Sequence, residues 1–189
     1  MGHYIDKTAG FNVYDAPKSG GTTMRSWLKY KKHGELRLKE QKDGYSFVSE
    51  VSYDWECLYF KPYEGESICV KRDPVKRFVS CYKDKILREN RFKKPSIDEF
   101  LRNYKKYIKM DQQVLRSNLT KTPVKYLEYH FTPQYRQFGK DKAFYTHVFD
   151  ISEMNTTIKE YFEDHWKIVL PEVHARKNDS DKITLTPKQ

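Results

Sequence analysis

The segment Pro-Lys-Ser-Gly-Gly-Thr-Thr at residues 17–23 limits the fold of this chain more than any other feature of its sequence. Residues 11–16 before it read FNVYDA and predict a short β-strand, and apolar residues recur at helical spacing over residues 22–32 after it. A strand, a glycine-containing loop and a helix in this order open a phosphate-binding βα unit. We therefore expect an α/β fold that begins with an anion-binding loop.

The residues of this loop suit an oxyanion for separate reasons. Gly20 and Gly21 let backbone N–H groups approach a ligand closely, and the following helix directs its positive end to the same place. Lys18 adds a mobile positive charge, and hydroxyl donors follow at Thr22 and Thr23. The nucleotide triphosphatase loop requires Gly-Lys-[Ser/Thr], whereas here the lysine precedes the glycines. A glycine pair after a strand also makes an ordinary tight turn, so the interpretation needs a second site.

The sequence RDPVKRFVS, which starts at Arg72, supplies that second site. Residues 67–71 predict a buried strand, and a guanidinium at its end can bind a phosphate through two hydrogen bonds. Pro74 suits the first turn of a helix, which we expect to run to about residue 89. Ser80 lies on that helix and can face the same ligand. The alternative is a plain strand-to-helix corner with a local ion pair.

The rest of the chain alternates strand and helix patterns. Further strands are expected at residues 45–51 and 144–149, and further helices at residues 55–60, 96–119 and 151–166, the last two capped by Ser96 and Ser152. This alternation implies a three-layer α/β fold, in which a mainly parallel β-sheet is flanked by helices. We expect one domain over residues 1–189, with an irregular polar tail after about residue 171.

The chain carries a formal net charge of +10 and a pI near 9.3, which favours anionic partners. Nucleic acid, an anionic membrane and small phosphorylated ligands all fit the charge alone, but the basic residues form no block and no nucleic-acid-reading motif is present. The three cysteines lack metal-ligand spacing, and the sequence has neither a signal peptide nor a membrane-spanning apolar run. These features predict a soluble, cytoplasmic, metal-free protein without a nucleic-acid partner.

Taken together, the two segments resemble the sulfotransferases that use 3′-phosphoadenosine 5′-phosphosulfate (PAPS), and the carbohydrate type more than the cytosolic small-molecule type. The resemblance implies a fold like that of P-loop nucleotide hydrolases. It also implies transfer of a sulfuryl group from PAPS to a hydroxyl or amine of a glycan or small-molecule acceptor. The product would be 3′-phosphoadenosine 5′-phosphate (PAP), and no metal would be needed.

The resemblance further implies which residues bind each end of the donor. The residues matching the 5′-phosphosulfate loop are Pro17, Lys18, Ser19, Gly20, Gly21, Thr22 and Thr23. Arg72 and Ser80 match the residues that bind the 3′-phosphate. The sequence HFTPQ at residues 130–134 is similar to a further element of some members.

Sulfuryl transfer needs an in-line nucleophile, a base for its proton, and neutralisation of the charge that grows on the leaving phosphate. Lys18 is the candidate for neutralising that charge. Glu50 lies between the two motifs, where similar sequences carry the base and often have His. A glutamate in that role needs its pKa raised by burial. His130 is the alternative, as the base or as a substrate contact, although a lone histidine can also be structural.

Two other functions compete with this interpretation. A non-catalytic anion- or nucleic-acid-binding module would show polymer affinity that falls steeply with salt, and no saturable PAPS binding. A P-loop kinase acting on small molecules would be stabilised by ATP with Mg²⁺ and not by PAPS. The missing Gly-Lys-[Ser/Thr] argues against the kinase.

Overall fold

The computed structural model describes residues 2–6, 10–34, 39–41, 44–46, 65–115, 124–138 and 142–173. The strands are β1 (Gly2–Asp6), β2 (Phe11–Asp15), β3 (Lys39–Gln41), β4 (Gly44–Ser46), β5 (Glu66–Lys71), β6 (Val114–Leu115), β7 (Val124–Lys125) and β8 (His147–Asp150). The α-helices are α1 (Gly21–His33), α2 (Pro74–Tyr82), α3 (Ile97–Arg102), α4 (Tyr104–Met110), α5 (Tyr126–Phe131), α6 (Gln134–Phe138) and α7 (Thr157–Trp166). A wider π-helical turn, Lys83–Arg88, continues α2, and 3₁₀ turns occur at Arg91–Lys93, Lys142–Phe144 and Ile151–Glu153.

The main sheet has the strand order β1-β2-β5-β8. Strands β2, β5 and β8 are parallel, and β1 pairs antiparallel with β2 at one edge. At the carboxyl ends of these strands Asp15 lies opposite Val70, and Val70 lies opposite Phe149. The expectation of an α/β fold with a mainly parallel sheet flanked by helices is confirmed, while the antiparallel strand β1 was not expected. Because β2 and β5 are parallel neighbours, the loops that follow them emerge side by side, at the edge where open α/β sheets bind ligands.

One face of this sheet packs against α1 and α7. Alternate residues of the parallel strands point to that face, because side chains alternate along a strand. The buried members of this sheet cluster are Val13, Met24, Trp27, Ile68, Val70, Met154, Ile158, Phe162, Trp166 and Leu170. Trp27 also donates its indole N–H to the Pro171 carbonyl at 3.0 Å, which fixes the end of the described chain to α1.

The opposite face of the sheet is covered by aromatic residues. Tyr14 lies on this face, and its ring meets those of Phe144 and Tyr145 edge-on at 5.7 and 5.5 Å. Cys69 is the neighbour of Tyr14 in the parallel register and is also buried. The sheet is thus buried on both faces around β2 and β5, as expected for parallel strands.

A second core lies among the helices α2 to α5. The buried members of this helix cluster are Cys81, Tyr82, Ile86, Phe100, Tyr107, Leu127 and Phe131. Phe100 lies at its centre, with ring centroids 5.4 Å from Tyr107 and 5.1 Å from Phe131. Aromatic packing of this kind fixes α5, and with it the segment that follows α5.

The prediction of a single helix over residues 96–119 is wrong. Ser96 does cap α3, accepting a hydrogen bond from the Glu99 N–H at 3.2 Å, but α4 ends at Met110 and β6 follows. The reason is Asp111, whose buried carboxylate accepts the Leu127 N–H at 2.7 Å and the Arg91 guanidinium at 3.0 Å. These partners hold the chain away from the helical path at Asp111.

The expected elements of the last third are also shifted. Residues 142–144 form a 3₁₀ turn, so β8 begins at His147 and not at residue 144. Asp150, and not Ser152, forms the cap, since the Ser152 N–H and hydroxyl both donate to Asp150 Oδ1. The regular helix α7 then starts at Thr157. The strand expected at residues 45–51 is described only in β4, and the helix expected at residues 55–60 and the tail after residue 173 lie outside the described residues.

Candidate active site

The two anion-binding segments expected from the sequence meet at the carboxyl edge of the sheet. The loop at residues 17–20 follows β2, and Arg72 directly follows β5. The guanidinium Nη1 of Arg72 donates a hydrogen bond to the Lys18 carbonyl at 2.9 Å. One ligand can therefore contact both segments, whereas loops on opposite sides of the molecule would have excluded this.

The loop after β2 turns sharply before α1 begins. The Ser19 N–H donates to the Ala16 carbonyl at 3.0 Å, and Lys18 and Gly20 adopt left-handed backbone conformations with φ of 69° and 87°. Gly20 is the N-cap of α1, and within the described residues no side chain accepts a hydrogen bond from this helix end. The first N–H groups of α1 therefore meet no competing side-chain acceptor there, as an anion site requires.

Two features of the loop favour glycine at position 20. Its φ of 87° lies in the region that disfavours any residue with a Cβ. In addition, a Cβ built there would overlap the terminal methyl group of Met154, which is buried in the sheet cluster. The loop thus packs directly on Met154, which lies three residues before α7 begins.

The hydroxyl-bearing residues of the loop differ in exposure. Thr22 is partly exposed in the first turn of α1, and its carbonyl accepts the Ser26 hydroxyl at 3.0 Å. Gly21 and Thr23 are buried in the same turn. Thr22 is therefore the more accessible hydroxyl for a ligand.

The ammonium group of Lys18 lies beside an acid that sequence reasoning missed. Lys18 Nζ is 3.3 Å from Asp84 Oδ2, and the same carboxylate contacts Lys85 at 3.0 Å and Arg88 at 2.5 Å. Burial raises the pKa of Asp84, but the neighbouring Lys18 and Lys85 ammonium groups outweigh burial, and the net pKa is below the usual value. Asp84 lies in the π-helical turn Lys83–Arg88, and in the sequence it looks like part of a solvated charge run.

Arg72 is half-buried between the two loops. Burial lowers the pKa of its guanidinium, which nevertheless stays charged because the pKa of arginine is so high. The adjacent Asp73 caps α2 by accepting the Lys76 N–H at 2.8 Å, and Pro74 occupies the first helical position. Ser80 is partly buried on this same helix. Arg72 therefore lies at the junction of β5 and α2, and Ser80 lies further along α2.

Arg77 joins the phosphate loop to the HFTPQ segment, a role that sequence reasoning did not assign. Its side chain is 4% exposed. Nε donates to the Pro17 carbonyl, Nη1 to the Thr132 carbonyl and Nη2 to the His130 carbonyl, each at 2.9 Å. The sequence could have indicated this role, because Arg77 lies four residues before the buried Cys81 and thus on the same face of the helix. A charged residue on the apolar face of a helix needs partners.

Gln134 contacts both loops with one side chain. Its Oε1 accepts hydrogen bonds from the Ser19 hydroxyl and from the Arg72 N–H, both at 3.0 Å. Its Nε2 donates to the Arg72 carbonyl at 2.6 Å. Ser19, which the sequence assigned to ligand binding, is fully buried and makes this internal bond. From the sequence, Gln134 could be identified only as part of the HFTPQ element.

Only one of the two candidate bases lies among the described residues. Glu50 lies outside the described residues. His130 lies in α5, where its Nδ1 donates to the Tyr126 carbonyl at 2.7 Å, so that Nε2 carries the lone pair. Burial lowers the pKa of His130 to about 4, despite the opposing effect of the hydrogen bond to Tyr126. The imidazole is thus neutral near pH 7, and its electrostatic neighbours include Asp84, the partner of Lys18.

Two classes of feature are missing from the described part of the chain. Among those residues, no three His, Cys, Asp or Glu side chains are grouped so that they could hold a metal ion. None of the helices described is long and apolar enough to cross a membrane.

Comparison with known proteins places these observations in a family. The Sulfotransferase family matches residues 5–164, a range that includes the phosphate loop, Arg72 and Gln134. Comparisons with curated proteins and with solved structures found no significant match. The family match covers most of the 189 residues. The chain therefore belongs to the sulfotransferase family.

Proposed function

We propose that this protein transfers a sulfuryl group from PAPS to a hydroxyl or amine of an acceptor, with carbohydrates as the leading acceptor class. The observation that carries the proposal is the hydrogen bond of 2.9 Å from Arg72 Nη1 to the Lys18 carbonyl. It joins the two segments that are proposed to bind anions, and PAPS carries one anionic group at each end of its nucleoside. Two adjoining sites suit such a donor better than a single phosphate loop does.

The two ends of the donor are held by different groups in this proposal. The N-terminal amides of α1, the Lys18 ammonium and the Thr22 hydroxyl bind the 5′-phosphosulfate. Arg72 Nη1 donates to the Lys18 carbonyl, and the other N–H groups of this guanidinium bind the 3′-phosphate. Ser80 is the second donor to that phosphate. The net charge of +10 supports the approach of this anion.

The chemical step is an in-line displacement at sulfur. The acceptor oxygen or nitrogen attacks the sulfur, and the bond from sulfur to the 5′-phosphate oxygen breaks as the new bond forms. The acceptor proton passes to a base, and the electron pair of the broken bond stays on the phosphate of PAP. Lys18 neutralises this growing charge, which is the largest demand that the reaction makes on the protein.

The base is assigned to Glu50 first and to His130 second. At neutral pH His130 is a neutral imidazole whose Nε2 can accept a proton, but a pKa of about 4 makes it a weak base. Glu50→Gln should lower kcat by about 100-fold and leave PAP affinity unchanged. Unchanged turnover in that variant would move the assignment to His130, which His130→Gln then tests in the same assay.

A thermal-shift experiment tests the donor assignment. PAP at about 100 times its Kd should stabilise the protein by about 2.7 kcal/mol, and ATP with Mg²⁺ should have little effect. Stabilisation by ATP with Mg²⁺ alone would favour a kinase. Salt-sensitive binding to RNA, with no response to PAP, would favour a non-catalytic module.

Acceptor classes can then be separated with radiolabelled PAPS. Because the protein is strongly basic, an acidic glycan such as a desulfated glycosaminoglycan should accept more label than a neutral glycan or a simple phenol. Lys18→Ala should remove at least about 99% of this transfer. Labelling of the phenol alone would reject the carbohydrate assignment while leaving sulfuryl transfer intact.

A further inference from the structure

The side-chain amide of Gln134 pairs with the end of β5 as a neighbouring strand would. Its Oε1 accepts the Arg72 N–H at 3.0 Å, and its Nε2 donates to the Arg72 carbonyl at 2.6 Å. Both main-chain groups of Arg72 are thereby held, so the direction in which its guanidinium leaves the sheet is fixed. A residue that carries one donor and one acceptor on a planar amide is well suited to this pairing.

The same amide oxygen also holds the phosphate loop. Gln134 Oε1 accepts the hydroxyl of Ser19 at 3.0 Å, and Ser19 is fully buried. Thus one oxygen atom joins Ser19 in the first segment to Arg72, the first residue of the second segment. These two bonds connect Gln134 to positions 115 and 62 residues earlier in the chain.

This link matters because a ligand with two anionic ends gains affinity only when both sites fit it at once. Binding of the first end raises the effective concentration of the second end at its site, by a factor that depends on the spacing of the two sites. A change of that spacing by about 1 Å removes much of the gain. Each site alone tolerates the same movement.

We infer that Gln134 is a positioning residue, which sets the spacing between the 5′-phosphosulfate loop and the 3′-phosphate site so that one nucleotide spans both. The inference rests on the proposed function. Arg77 reinforces the same link from the other side of the segment, because it binds the carbonyls of Pro17, His130 and Thr132. Gln134 itself acts through Arg72 and Ser19, and it needs no contact with the donor.

Calorimetric titration with three nucleotides tests the inference. The ligands are PAP, which has both phosphates, 5′-AMP, which has the first, and 3′-AMP, which has the second. The unchanged protein should bind PAP about 100-fold more tightly than either mononucleotide. Gln134→Ala should weaken PAP binding by about 10-fold or more and change the binding of each mononucleotide by less than about twofold.

Gln137→Ala is the matched control. Gln137 lies on the same helix, is 6% exposed and donates one hydrogen bond to the Tyr129 carbonyl at 2.9 Å. It contacts neither loop in the hydrogen bonds of the described residues, so its substitution should change the affinity for all three nucleotides by less than about twofold. Should Gln134→Ala not fold, Gln134→Met keeps the length of the side chain without its hydrogen bonds and gives the same comparison.

The outcomes separate the two proposals. If the unchanged protein does not prefer PAP over the mononucleotides, the donor assignment fails and the positioning role fails with it. If the preference for PAP is present but Gln134→Ala lowers all three affinities equally, or none of them, the donor assignment stands and the role of Gln134 is overturned. A selective loss of PAP affinity in Gln134→Ala, absent from Gln137→Ala, supports the inference.

Discussion

The helices α1 and α2 both begin at the carboxyl edge of the sheet, but their N-terminal ends are built in opposite ways. The end of α1 follows Gly20 and has no side-chain cap within the described residues and no acid in its first turn. The end of α2 is capped by the Asp73 carboxylate and carries Pro74 at its first position, which lacks an N–H. Among the residues that the structure describes, the end of α1 has no side-chain cap, whereas the end of α2 has one.

If both segments bind the donor as proposed, this difference means that the two sites use different chemistry. At α1 the backbone itself, with the positive end of the helix, can receive the ligand. At α2 the Asp73 carboxylate already accepts the Lys76 N–H and Pro74 has no N–H, so the proposed second site relies on the side chain of Arg72 just outside the helix. The first site should therefore depend on backbone shape, and the second on one guanidinium.

The sharpest test of the backbone site is Gly20→Ala. The new Cβ would overlap Met154 and would also need the disfavoured φ of 87°. We expect PAP affinity and sulfuryl transfer each to fall by more than about 100-fold, because the strained φ and the displacement of Met154 together distort the loop. Gly34→Ala is the control, since Gly34 ends the same helix with φ of 70° but has open space around it. That variant should lose about 1 kcal/mol of stability and bind PAP normally. Equal binding losses in both variants would contradict a special role for the loop shape.

The guanidinium site is tested by comparing Arg72→Ala with Arg72→Lys. Loss of charged hydrogen bonds at Arg72 should weaken PAP binding by about 10- to 100-fold. Lysine should recover only part of this, because it cannot bind a phosphate through a planar pair of N–H groups. Titration with 5′-AMP, which lacks the 3′-phosphate, should give nearly the same affinity in all three proteins. A large loss of 5′-AMP affinity would mean that Arg72 also supports the first site, through its bond to the Lys18 carbonyl.

The burial of His130 can be tested through the pH dependence of the free energy of unfolding. Burial lowers the pKa of His130 to about 4 from an ordinary value of 6.5. The unfolded chain therefore takes up this proton below pH 6.5 while the folded protein does not, and stability is lost as the pH falls from 6.5 to 4. At pH 5 the loss from this group is about 2 kcal/mol. Urea unfolding of His130→Gln should show a smaller loss between pH 6.5 and 5 than the unchanged protein. An identical loss in both proteins would mean that His130 does not cause the loss of stability at low pH.

The smallest effect is expected at the cap of α2. Asp73→Ala should lower the free energy of unfolding by about 1 kcal/mol, because the Lys76 N–H loses its acceptor. PAP affinity should not fall, since removal of a carboxylate beside Arg72 does not disfavour an anion there. Ser96→Ala, at the equivalent cap of α3, provides the reference for the stability change. A tenfold loss of PAP affinity in Asp73→Ala alone would break the distinction between the two helix ends.

The sequence predicted the parts of the site whose signals are local. The strand before the loop, helix α1, strand β5 and the start of α2 were all predicted within one residue of their observed bounds. Glycine, proline and the periodicity of apolar residues act over a few positions, so they can be recognised in a single sequence. The two loops lie side by side because β2 and β5 are parallel neighbours in the sheet, although β3 and β4 separate them in the chain.

The parts that could not be predicted depend on distant partners. Arg77 bonds to carbonyls 53 to 60 residues away, and Gln134 bonds to Arg72 and Ser19 over still longer separations. Asp111 ended the predicted helix early because of a hydrogen bond to an N–H 16 residues later. Local pattern carries no information about such bonds. The donor-binding roles of the loop residues, and the choice between Glu50 and His130, stay predictions.

The bond between Ser19 and Gln134 has a consequence for how the protein is made. The ribosome releases the chain from its N-terminus, so the loop and its helix emerge long before the glutamine that is 115 residues further on. Until α6 has emerged, the nascent chain holds its first anion-binding segment without the oxygen that fixes it to the second. Contacts between such distant positions form slowly, and the proposed bridging of the two segments by one donor requires that most of the chain has been translated.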